Sequence, residues 1–71
     1  VWREWLEALE PRLINIRLRN KKHFAFLRLM FLMSTIDGTW QPCAAQLRLI
    51  IECHVYYVGP VTTPEAMEAT A

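Results

Sequence analysis

Residues that start or stop helices recur along this chain at intervals of about one helix: Pro11, Asn20, Gly38, Pro42 and the pair Gly59–Pro60. Proline lacks a backbone N–H and is tolerated in the first turn of a helix but not in its interior. Asparagine caps a helix start through its side-chain oxygen, and glycine favours the position just past a helix end. This punctuation divides the chain into segments roughly 1–18 (kinked at Pro11), 21–37 and 42–58. Each carries apolar residues at the three- and four-residue spacing of an α-helix.

In the first segment Trp2, Trp5, Leu6 and Leu9 share one side, while Glu4, Glu7 and Glu10 fall on the other. Leu13, Ile14, Arg17 and Leu18 continue it beyond Pro11. The second segment runs from the N-cap Asn20 to Gly38 and is apolar on nearly every side, the pattern of a buried, central helix. The third has two apolar faces. Cys43, Ala44, Leu47, Ile50, Ile51, His54, Val55 and Val58 form one stripe, and Ala45, Leu49, Glu52 and Tyr56 form another at spacings of four, three and four. A rival strand pattern exists, because Ile14, Ile16 and Leu18 alternate with polar residues, as do Leu47, Leu49, Ile51, Cys53, Val55 and Tyr57 more loosely. The helical pattern prevails because Asn20, Gly38, Pro42 and Gly59–Pro60 all fall at helix boundaries, and the implied strands would exceed the usual length.

The expected fold is therefore all-α, a small three-helix or four-helix bundle over 1–60, followed by a tail or linker over 61–71. Thr63–Pro64–Glu65 resembles one more helix start, with Met67 as its one large apolar residue.

The chain has 71 residues, of which 54% are hydrophobic and 21% charged. A domain this small has a high surface-to-volume ratio and needs more polar residues than usual, not fewer. A core of this size contributes only ~3–5 kcal/mol unaided. The surplus apolar surface calls for cover by a second chain, with association driven at about 25 cal/mol per Å² buried. The functional expectation is a non-enzymatic protein–protein interaction or oligomerisation module acting by helix-face packing. Its partner would be a second copy in a homodimer or another helical chain. Trp2, Trp5, Ala45, Leu49, Glu52 and Tyr56 are the interface candidates.

Charge is unevenly placed. Arg12, Arg17, Arg19, Lys21, Lys22 and Arg28 are six of the eight basic residues, and no acidic residue lies between Pro11 and Ile36, although the net charge is only +1. These six are anion-binding candidates, for nucleic acid or an anionic membrane surface. The structural alternative is that they complement helix C-terminal dipoles. Arg28 interrupts the apolar run Phe24–Ile36 and either pairs with Glu52 or reaches solvent with its stem packed.

Catalytic and metal patterns are weak. Cys43, Cys53, His23 and His54 lack the close pairs that zinc sites use, so no metal or cofactor is expected. Ser34, Asp37 and His54 could be named as a triad, but Ser34 lies mid-helix without a nucleophile turn. His54, on the apolar stripe, reads as a hydrogen-bonded core residue, and Trp40 as the core residue closing the turn after Gly38. On one helix Cys43 and Cys53 would be about 15 Å apart, too far for a disulfide. Reduced thiols imply an intracellular location, cytoplasmic or nuclear. The start at Val1 on a mid-helix pattern suggests a segment of a longer protein without a signal peptide, and the longest apolar run is too short to cross a membrane.

Overall fold

The computed structural model describes residues 2–61, and the anticipated helix start at Thr63–Glu65 lies outside that range. The described residues form helices and connecting turns, with no strand among them. They are α1 (Trp2–Leu9), a 3-10 turn (Glu10–Arg12), α2 (Leu13–Arg19), α3 (Lys21–Ile36) and α4 (Ala44–Tyr57).

Pro11 kinks the first segment without breaking it. Leu9, Arg12 and Leu13 all keep right-handed helical backbone angles, and the chain tightens into the 3-10 turn around the missing N–H. The Arg12 guanidinium donates to the Ala8 carbonyl at 2.9 Å, which satisfies an acceptor in the last turn of α1.

A single residue joins α2 to α3. The Asn20 N–H donates to the Ile16 carbonyl at 2.7 Å, closing α2, while its side-chain oxygen accepts from the N–H groups of Lys22 and His23, both at 3.1 Å, opening α3. Its extended backbone (φ −151°, ψ 99°) turns the chain so that α3 folds back against α2.

The turn after α3 is built by Asp37 rather than by a left-handed glycine. The Asp37 carboxylate accepts from the Thr39 N–H at 2.9 Å and the Thr39 hydroxyl at 2.7 Å. Gly38 occupies the expected position past the helix end, but among the described glycines only Gly59 has a positive φ. Cys43 caps α4, its N–H donating to Gln46 Oε1 at 3.0 Å.

Every helix contributes to the core: Trp5, Leu6 and Leu9 from α1, Ile16 from α2, Leu27 and Met30 from α3, and Ile50, Ile51 and Cys53 from α4. α1 packs on α4 and α2 on α3. The Trp2 and Trp40 rings meet edge to face at 5.6 Å, and Arg3 Nη2 donates to the Gly38 carbonyl at 3.1 Å, tying α1 to the α3–α4 turn. Trp40 is thus half-buried against the core rather than sealed within it.

The expectation of α3 as a central, fully buried helix is corrected here. Only Leu27 and Met30 of α3 are fully buried, while Leu29, Leu32 and Ile36 are 50%, 53% and 73% exposed. The molecule measures 31 × 28 × 18 Å, and 18 Å leaves room for only two layers of helices packed 8–10 Å apart. In two layers each helix is covered on one side, so an apolar-all-round helix must show half of itself to solvent.

Candidate functional site: two apolar helix faces

The nine buried apolar residues are matched by nine large hydrophobic side chains left exposed. A monomer seldom leaves so much of its apolar inventory outside unless the patch has a partner. Five of the nine lie on one face of α3 and one face of α4, while Ile14 and Leu18 of α2 and Val55 and Val58 are exposed elsewhere. On α3, Ala25, Leu29, Leu32 and Ile36 are all exposed at spacings of four, three and four. Two open grooves run along this face. One of about 330 Å³ is bordered by Phe24, Ala25, Arg28, Leu29 and Leu32. The other, about 380 Å³, is bordered by Leu13, Arg28, Phe31, Leu32 and Thr35, with Glu10 at its edge. Arg28 and Leu32 border both.

The second face is on α4. Ala45, Leu49, Glu52 and Tyr56 are all exposed, with Leu49 at 43% and Tyr56 at 72%. The opposite side carries the buried Ile50, Ile51 and Cys53. The remaining interface candidates lie elsewhere: Trp5 is buried in the core at 5% exposure, and Trp2 is half-buried against Trp40.

Arg28 does not pair with Glu52. Its side chain is exposed beside Leu29 and Leu32, and no ion pair joins the two residues. The stem of an arginine can lie on apolar surface while its head stays in water, which removes any need for a buried partner.

All six basic candidates are exposed. Arg17 and Arg19 stand in the last turn of α2, where the helix dipole favours them, and the Arg17 guanidinium lies 5.7 Å from the Phe24 ring centre. Lys21 and Lys22 begin α3, the end at which the dipole disfavours cations. Arg12 and Arg19 meet Asn15, Tyr56 and Tyr57 in a cleft of about 200 Å³ between α2 and α4.

The residues that could suggest chemistry are each engaged locally. The Ser34 hydroxyl donates to the Phe31 carbonyl at 2.9 Å, Asp37 holds Thr39, and His54 Nδ1 lies 2.9 Å from the Gly59 carbonyl oxygen. Hydrogen bonds from the Thr39 hydroxyl and N–H hold the Asp37 carboxyl below its usual pKa. Burial, reinforced by the nearby Glu52 charge, pushes the Cys53 thiol up to about 11. Burial also raises the Tyr57 hydroxyl, against a lowering contribution from Arg19. Among the described residues no three His, Cys, Asp or Glu side chains converge as a metal site would require. Both cysteines are free thiols. Among the described residues no helix is long and apolar enough to cross a membrane.

No family model, characterised protein or solved structure matches this chain.

Proposed function

We propose that this chain is a non-enzymatic protein-interaction module that docks a second helical element on its exposed apolar faces. The observation that carries the reading is the unpartnered α3 stripe Ala25–Leu29–Leu32–Ile36. A folded helix whose outer side repeats apolar residues at that spacing has the surface of half a helix pair. The α4 stripe Ala45–Leu49–Tyr56 gives the module a second docking side. The free thiols of Cys43 and Cys53 support a reducing compartment, the cytoplasm or nucleus.

The test is nuclear magnetic resonance on the folded chain, first as a function of its own concentration and then with a synthetic amphipathic helix carrying leucines in heptad spacing. Amide shifts should move at Ala25, Leu29, Leu32 and Ile36, or at Ala45, Leu49 and Tyr56, in at least one series. Spectra unchanged in both series overturn the reading.

A second reading rests on Lys21 and Lys22. Helix-dipole complementation explains Arg17 and Arg19 but not two lysines at the wrong end of α3. Together with Arg12, Arg17, Arg19 and Arg28 they would serve an anionic partner such as nucleic acid or a charged membrane surface. Such binding weakens steeply with added salt, whereas apolar docking does not.

A further inference from the structure

We infer that the α3 face is occupied by the same face of a second copy, with the two α3 helices antiparallel across a two-fold axis that passes between Leu29 and Leu32. The inference rests on the interaction reading above and names the partner for one of its two faces.

Three features of the face select this occupant. The spacing Ala25–Leu29–Leu32–Ile36 alternates four, three and four, which is the a/d seam of a helix pair. The seam is also graded in size, small at Ala25 and large at Ile36. In an antiparallel register with Leu29 of one copy on Leu32 of the other, Ala25 of each copy receives Ile36 of its mate. A parallel pair would instead set Ala25 on Ala25 and leave a void.

Charge supplies the third feature. The face is polarised along its length. Lys21 and Lys22 stand at its start and Arg28 midway, beside a groove that Glu10 of the same copy also borders, while Glu7 of α1 lies beside Phe31 and Ser34 toward its end. Arg3 borders the same region but is turned to the Gly38 carbonyl. In the antiparallel register the Arg28 flank of one copy runs past Thr35 of the other, toward that copy's Glu7. The symmetry repeats the contact, as an isologous interface requires. A parallel pair would bring like charges together at both ends.

Sedimentation of the full chain gives the first readout. The wild type should show twice the 8.4 kDa chain mass, and Leu29→Glu should show a single chain with unchanged helical circular dichroism, because Leu29 is already half exposed. Orientation is read by disulfide trapping in a Cys43→Ser background. Mixing Ala25→Cys protein with Ile36→Cys protein should yield the mixed disulfide in preference to either homodisulfide. Arg28→Glu should weaken the dimer at least tenfold, and adding Glu7→Lys to it should restore most of the loss. A dominant Ala25→Cys homodisulfide overturns the antiparallel arrangement. A dimer that survives Leu29→Glu but dissociates with Leu49→Glu overturns the inference while leaving the interaction reading intact. A monomer at every concentration also overturns it, and the interaction reading then stands or falls on the helical-peptide titration alone.

Discussion

Nδ1 of His23 in the first turn of α3 lies 2.8 Å from the hydroxyl of Tyr57, the last residue of α4, and the two rings meet edge to face at 5.7 Å. Few polar contacts span the two ends of this chain, so the pair locks the close of the bundle to its middle. Tyr57→Phe keeps the ring and removes the bond. A loss of about 1 kcal/mol is expected, which for a domain this short lowers the thermal midpoint by roughly 4–8 °C. An unchanged melting curve would show that water replaces the hydroxyl at no cost.

Asn20 serves two helices at once, and its side chain carries the start of α3. Asn20→Ala should destabilise the fold by about 1 kcal/mol, whereas Asn20→Asp, which also caps well, should be close to neutral. Denaturant titration of the pair reads the difference. Equal losses would mean that the backbone geometry, not the side-chain oxygen, makes the corner.

Leu49 and Ile50 are adjacent, yet one is 43% exposed and the other fully buried. Leu49→Glu should leave the helical circular dichroism intact, while Ile50→Glu, which places an unpaired charge in the core, should unfold the chain. Folded protein in both cases would contradict the two-sided character of α4.

Cys43 is exposed and Cys53 is buried, with its thiol raised from 9.0 to about 11. Alkylation near neutral pH should therefore modify one thiol quickly and the other only on unfolding. The sign of the pH effect follows from the direction of the shift. A group whose folded pKa is raised contributes its full stability below the unfolded value and loses it as pH climbs through the folded one. Stability should fall between pH 9 and 11, and Cys53→Ala should flatten that part of the profile. Equal reactivity of the two thiols in the native protein would refute the burial of Cys53.

If the basic residues serve an anionic partner, Lys21→Glu with Lys22→Glu should abolish retention on heparin, and wild-type retention should fall steeply with salt. Retention unaffected by the double substitution would remove these two lysines from any anion site.

Much of the architecture was legible in the residues because its causes are local. Asn20 caps α3 by reaching two and three residues ahead, Pro11 acts through its own missing N–H, and Pro42 and Gly59–Pro60 bracket α4. The two-faced pattern of α4 was only partly legible from spacing: Ile50 and Ile51 turn inward and Leu49 and Tyr56 outward, but Val55 and Val58 of the first stripe are exposed and Cys53, on neither stripe, is buried. The closing turn of α3 was less legible. Gly38 drew attention there, but the Asp37 side chain makes the turn through Thr39.

Sequence alone therefore determined the helices and most of their ends, because backbone capping and periodicity act within a few residues. Tertiary structure decided which apolar residues lie inside. Leu27 and Leu29 look alike along the chain, yet one is fully buried and the other half exposed. Leu27 faces the core that all four helices share, and Leu29 faces away from it in a molecule only two helix layers thick. Trp5, an interface candidate by pattern, went to the core, and the α3 stripe was left exposed.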